Sequence, residues 1–216
     1  VAYPNMDRFF PESKLVVTGN PIRSSLIANQ IDRATAASIY NFNTADKVVL
    51  MLGGSLGSAA MNKWLGEQLN LITSLGFKVL WQCGKIYYNT YKDYESKSVK
   101  VVPFIENMEA AYELASGIIS RAGAGAISEL AGVGKPTLFI PSPLVAEDHQ
   151  TKNAESMVAL DAAMIIRESE LSDSSILERF LEYVQSEDPA MGNRFKAEAR
   201  PRAAETIVEL IAERLR

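Results

Sequence analysis

Val48-Val49-Leu50-Met51-Leu52 runs straight into Gly53-Gly54-Ser55-Leu56-Gly57, and residues 59–74 follow with apolar side chains at helical spacing. A strand covered by helices on both faces needs no polar alternation. An unbroken apolar run that ends on a glycine turn therefore reads as the first half of a parallel βα unit. The pattern repeats along the chain. Candidate strands fall at 14–17, 48–52, 78–82, 100–102, 117–120, 136–140 and 163–166, with helical patterns near 59–74, 107–115, 126–133, 147–159, 171–185 and 191–215. This alternation predicts an α/β fold built on a doubly wound parallel sheet.

The last helical stretch has the clearest periodicity. Ala204, Ile207, Val208, Ile211 and Leu215 share one apolar face, and Pro201 either starts the final section or kinks it. That face packs on this domain or on a partner domain, and the sequence leaves both open.

Composition narrows the function classes. The 216 residues carry a net charge of −4, which argues against a nucleic-acid groove and against whole-surface attraction to anionic lipid. A single cysteine, Cys83, allows no intrachain disulfide and fits a reducing, cytosolic compartment. A single histidine, His149, excludes a His-rich metal cluster and any Ser-His-Asp triad that does not use it. No run approaches the ~20 apolar residues of a membrane-spanning helix. Val1-Ala2-Tyr3-Pro4 has neither an initiator Met nor a signal-peptide pattern, so the sequence reads as part of a longer polypeptide.

In open α/β sheets ligands bind beyond the carboxyl ends of the strands, which directs attention to the segments that follow them. Gly53-Gly54-Ser55-Leu56-Gly57 brings backbone N–H groups and a hydroxyl within reach of an anion, or is a tight turn without a ligand. It lacks the Gly-Lys-Ser/Thr of a Walker A loop. In Arg121-Ala122-Gly123-Ala124-Gly125-Ala126-Ile127-Ser128-Glu129 a helix begins within residues 124–127. Its open N–H groups and dipole favour a diphosphate by ~0.3–1 kcal/mol, rising to ~2 when partly buried. Glu129 either accepts from both hydroxyls of a ribose or complements the helix dipole as a first-turn acid. The third glycine of a dinucleotide fingerprint is Ser128, which weakens that reading.

The remaining polar candidates have plainer alternatives. Arg23 pairs with a phosphate or is a solvated surface residue. His149 and Asp148 form an acid–base pair or serve capping and surface roles, the latter favoured because adjacent helical residues point apart. Gln150 and Asn153 share a helix face suited to sugar hydroxyls. Trp64, Trp81 and Cys83 read as packing residues, and no Asp-x-Asp pair points to a metal-bound diphosphate.

Taken together, Thr18-Gly19-Asn20-Pro21-Ile22-Arg23, the 53–57 turn, Pro103-Phe104-Ile105 with Met108 and Ala111-Tyr112, the 121–125 turn with Ser128-Glu129-Leu130, Gly134-Lys135-Pro136, and Glu147-Asp148-His149-Gln150 with Asn153-Ala154 resemble the MurG family of peptidoglycan glycosyltransferases. The resemblance runs over nearly the whole chain and is densest at 15–57 and 103–154. It implies the GT-B fold of two Rossmann-like domains, with residues 1–216 as the single C-terminal domain that binds UDP-GlcNAc. The helix at 191–216 would then be able to pack on the N-terminal domain.

By this resemblance the backbone of Ile105 reads the uracil and Glu129 holds the ribose diol. Ser55, Arg23 and the turn at Ala124, Gly125 and Ala126 bind the diphosphate. Gln150 and Asn153 contact the GlcNAc hydroxyls, and His149 sits at the rim of the sugar pocket. Many relatives have a hydroxyl residue where Ala126 stands, which leaves only its backbone N–H for the phosphates.

The reaction implied is an inverting, metal-independent hexosyl transfer from UDP-GlcNAc to lipid I, giving lipid II for cell-wall synthesis and hence cell shape and division, with no cofactor. The acceptor site, the catalytic base and the membrane-facing patch belong to the N-terminal domain, so these 216 residues are expected to bind donor without turnover. The full-length protein would be peripheral on the cytoplasmic face of the inner membrane, with this domain not inserted. Three other readings are a UDP-GlcNAc 2-epimerase-like domain, a nicotinamide-dependent enzyme and a nucleotide-binding or interaction module without catalysis.

Overall fold

The computed structural model describes residues 1–2, 10–28 and 31–215. Among these described residues six strands form one sheet: β1 Val48–Leu52, β2 Lys78–Gln82, β3 Val99–Val102, β4 Ala115–Ser120, β5 Thr137–Phe139 and β6 Met164–Ile165. All neighbours are parallel, in the order β3-β2-β1-β4-β5-β6. The order reverses between β1 and β4, so the chain leaves these two neighbours toward opposite sides and a crevice opens at their carboxyl ends.

The unbroken apolar character of β1 has a direct cause, because every one of its residues is buried. Side chains alternate between faces. Val49 and Met51 fall in one cluster with Val79, Trp81 and the buried face of α3 Ala59–Ser74, which supplies Met61, Trp64, Leu65, Leu69 and Ile72. Val48, Leu50 and Leu52 fall in the other, with α2 Arg33–Tyr40, α5 Met108–Leu114 and α6 Ala124–Val133. The remaining helices are α1 Ser25–Ala28, α4 Tyr88–Tyr91, α7 His149–Val158, α8 Ser175–Ser186, α9 Ala190–Ala197 and α10 Ala203–Arg214.

The structure corrects one expectation, adds one helix and resolves one alternative. Residues 14–17 form no strand of the sheet. Val16 and Val17 stay 44% and 42% exposed; Lys14 N and Leu15 N bond back to Pro11 O and Glu12 O, and Val1 donates its N-terminal ammonium to Val16 O and accepts from Thr18 N. Among the described residues no strand pairs with this β-branched stretch, and it stays irregular. Helix α2 was not expected. It is started by Asp32, whose carboxylate accepts from Thr35 N at 2.9 Å, and stopped by Asn41 in the left-handed region at φ 58°. The stretch at 191–215 is two helices, broken around Pro201, and Arg216 lies outside the described residues.

The periodic apolar face of α10 is covered only in part: Ile207 is half-buried beside residues 14–21, and the rest is open. Val208, Ile211 and Leu215 are 65%, 55% and 83% exposed.

Candidate functional site

The crevice between the loops after β1 and β4 is built from backbone contacts. Gly57, at φ 80°, lies so close to the β2 exit that a Cβ there would sit 2.2 Å from Cys83 O. Asn62, fully buried on α3, donates to that same carbonyl at 2.8 Å and accepts from Trp81 Nε1 at 2.8 Å. The 53–57 turn is thus fixed against the sheet before any ligand arrives.

Arg121 closes the other side of the crevice. Its guanidinium donates to Ser58 Oγ at 2.6 Å and Ile140 O at 2.9 Å, and pairs with Glu168 at 2.5 Å. An arginine beside a glycine turn invites a phosphate role, but these partners commit it to the protein. Arg121, Glu168, the 53–60 segment, Tyr87, Ser142, Leu144 and Gln150 line a hollow of about 520 Å³. Ser55 and Gln150, far apart in sequence, therefore share one cavity.

Helix α6 begins at Ala124 on Gly123, which has no side chain to cap it, and no acidic residue stands in its first turn. The first-turn N–H groups of any α-helix have no intrahelical partner and carry the positive end of the dipole. Gly123 has φ −64°, and a Cβ added at Gly123 or Gly125 would meet nothing within 4 Å. Neither backbone strain nor packing requires glycine at these two positions. Their bare backbone leaves room for a group to approach the helix end. Asn20 ties the segment carrying Arg23 to this end by donating to Ala124 O at 3.3 Å and Ser128 Oγ at 3.0 Å. That segment reaches the site through this amide and not through a strand at 14–17.

Glu129 lies one turn further along α6, half-buried, and accepts a 2.5 Å hydrogen bond from the Tyr112 hydroxyl. Burial first, and then the Glu129 charge, push the Tyr112 phenol far above its ordinary value, while Arg23 works in the opposite direction. Arg23 lines a second hollow of about 330 Å³ together with Leu26 and residues 106–109. Ile105, next to that hollow, buries its side chain in the core and so has only backbone to offer a ligand. The loop is held from behind. Tyr40 on α2 donates to Asn107 O at 2.9 Å, burial pushing its phenol up to about 12, while Asn107 caps α5 by accepting from Ala110 N.

On α7, Gln150 Oε1 accepts from Ser142 N at 3.0 Å, which leaves its amide NH2 for a ligand. Asn153 donates to Ala122 O at 3.2 Å. His149 is exposed, bonds Ala146 O through Nδ1 at 2.8 Å and lines neither hollow. Asp148 does not cap α7 but accepts from Thr151 Oγ1. No acid–base pair links His149 and Asp148. Among the described residues no group of three or more His, Cys, Asp or Glu side chains is placed to hold a metal ion. No described helix is long and apolar enough to cross a membrane.

Tyr112 and Arg121 are the site residues whose roles sequence reasoning missed. Tyr112 and Glu129 sit on separate helices 17 residues apart, and Arg121 and Glu168 are farther apart still, so no local spacing pairs them. An anion cradle at the strand-order reversal, with a carboxylate one helical turn behind it, is suited to a nucleoside diphosphate.

The model of the glycosyltransferase family 28 C-terminal domain matches residues 48–210 of this chain. The chain belongs to that family. Its family 28 relatives include the UDP-N-acetylglucosamine--N-acetylmuramyl-(pentapeptide) pyrophosphoryl-undecaprenol N-acetylglucosamine transferase of Flavobacterium psychrophilum, 39% identical over 98% of this chain and 58% of that protein. The enzyme of the same name from Christiangramia forsetii is 42% identical over 96% of this chain and 57% of its own length. The crystal structure of Acinetobacter baumannii MurG matches 94% of this chain and 58% of that one with a TM-score of 0.73 at 26% identity. The chain thus spans a little under three-fifths of these relatives. Family 28 membership and the match to the MurG crystal structure give a GT-B glycosyltransferase fold, and an epimerase-like reading is not favoured.

Proposed function

We propose that this chain is the donor-binding domain of a hexosyltransferase that moves GlcNAc from UDP-GlcNAc to lipid I, giving lipid II in peptidoglycan synthesis. The observation that carries the reading is the open, glycine-lined N-terminus of α6 at the strand-order reversal, with Glu129 held one turn behind it. Relatives of that name at 39–42% identity supply the substrate class.

The two hollows divide the donor between them. On one side the Ile105 backbone reads the uracil, Glu129 takes the ribose diol, and Arg23 reaches the phosphates. On the other, Ser55 contacts the diphosphate and Gln150 takes sugar hydroxyls, with Asn153 and His149 on the same helix but outside the lining of that hollow. The N–H groups of Ala124, Gly125 and Ala126 meet the diphosphate between them.

As the acceptor hydroxyl attacks the anomeric carbon and inverts it, the glycosidic C–O bond breaks and charge grows on the β-phosphate. Preorganised donors at such a position are each worth about 10²–10³ in rate. This is metal-independent leaving-group stabilisation. The reaction also needs a base for the acceptor hydroxyl. We assign the base, the lipid I site and the contact with the cytoplasmic face of the inner membrane to another domain of the full-length protein. The exposed face of α10 is suited to pack against that domain.

Gly125→Ala tests the cradle. Alanine at an open helical position stabilises by about 0.5–1 kcal/mol, so thermal melting stays level or rises. The added methyl enters the space proposed for the diphosphate, and calorimetry is expected to show UDP affinity falling about tenfold, or about 1.4 kcal/mol. Uridine, which lacks the phosphates, is expected to bind both forms alike. Unchanged UDP affinity in Gly125→Ala would remove the diphosphate from this helix end.

A further inference from the structure

We infer that Tyr112 is a positioning residue for ribose recognition: its hydroxyl tethers the Glu129 carboxylate in the orientation that receives a ribose diol. The inference rests on the donor-site reading above and adds a residue to it.

The two side chains differ in what holds them. Tyr112 is 5% exposed and its ring belongs to the core cluster that contains Leu26, Ala111 and Ile127. A buried tyrosine has only two side-chain torsions to fix, and packing fixes both. Glu129 is a longer, half-buried side chain with three torsions, on the helix that opens the site. Such a side chain is disordered among rotamers unless something holds it. The 2.5 Å bond from the phenol to Oε1 is that restraint.

A carboxylate offers about four lone-pair sites on its two oxygens. The phenol occupies one on Oε1. Oε2 and the second site on Oε1 remain, enough for a pair of adjacent hydroxyls. Without the hydroxyl, nothing holds the Glu129 carboxylate in the orientation that receives the diol. Burial and the Glu129 charge raise the proton affinity of the phenol, so Tyr112 is a donor to the carboxylate at neutral pH. Tyr112 itself touches no ligand.

The test is Tyr112→Phe, which removes one oxygen, measured by calorimetry with UDP and with 2′,3′-dideoxy-UDP beside the unchanged chain. The unchanged chain is expected to prefer UDP by tenfold or more, in line with charge-assisted bonds to the diol. In Tyr112→Phe, UDP affinity falls about tenfold while dideoxy-UDP affinity moves less than about twofold, so the preference collapses. In the Glu129→Ala background, adding Tyr112→Phe changes neither ligand further, because the tether has nothing to hold.

Equal loss for both ligands would assign Tyr112 to packing and overturn the inference. No loss for either would do the same, and so would a Tyr112→Phe chain that fails to fold. An unchanged chain that binds UDP but does not distinguish it from dideoxy-UDP would remove the ribose role of Glu129 itself, a failure of the underlying reading that is visible before any variant is made.

Discussion

Glu129→Ala is expected to weaken UDP binding by about 1–3 kcal/mol, roughly five- to 150-fold, while the domain stays folded. The size follows from chemistry. A half-buried carboxylate accepting from two ribose hydroxyls makes charge-assisted bonds that water replaces only in part. The simpler reading, a carboxylate that complements the α6 dipole, predicts a small stability loss and unchanged affinity. The structure weakens that reading, because the first turn of α6 contains no acid and Glu129 lies beyond it, where the dipole's effect has fallen off. Losing Glu129 leaves the Tyr112 hydroxyl without its partner, at about 1 kcal/mol of stability. Melting curves beside the titrations separate this modest cost from the binding loss. Unchanged affinity would remove the ribose role.

Gly57→Ala is expected to be strongly destabilising. Gly57 has φ 80°, and the new Cβ would meet Cys83 O at 2.2 Å. Left-handed backbone costs a non-glycine residue about 1–2 kcal/mol, and overpacking against a fixed group adds about 1–3. The carbonyl cannot withdraw cheaply, because Asn62 Nδ2 holds it at 2.8 Å. At roughly 2–4 °C per kcal/mol for a domain of this size, the melting temperature falls by about 4–20 °C. Gly54 provides the control. It has nearly the same φ, 81°, but a Cβ there meets nothing within 4 Å. Gly54→Ala should show the backbone part alone, so equal melting temperatures for the two variants would contradict the close approach.

The parts of the fold legible in the sequence are those specified by local burial. β1 and β2 match the expected 48–52 and 78–82 because both faces of the sheet are covered and the apolar runs end where the cover ends. Helix α6 was visible from its glycine turn. Helix α2 was not, because Ala36, Ala37 and Tyr40 make only a short buried stripe and its start depends on one Asp32 cap. Residues 14–17 misled for the opposite reason, since strand propensity does not make a strand where none of the described strands pairs with it.

The site was legible in its backbone and glycines more than in its side chains. Gly123 and Gly125 show in the sequence, and the structure adds that the space beside them is empty. The engagement of Arg121 with Ser58, Ile140 and Glu168, and of Tyr112 with Glu129, depends on long-range packing that no spacing encodes. The apolar face of α10 was read correctly as a face, but its periodicity does not say what covers it.

The central claim is a uridine-diphosphate site formed by the β1, β3 and β4 loops and α6. Titrating the unaltered chain with UDP, ADP and GDP by calorimetry tests it most directly. The account predicts that UDP binds at least about tenfold more tightly than either purine nucleotide, a difference of about 1.4 kcal/mol, because the base is read by the loop at Ile105 while ribose and diphosphate are common to all three. Equal affinities for the three, or no measurable binding of UDP, would contradict it.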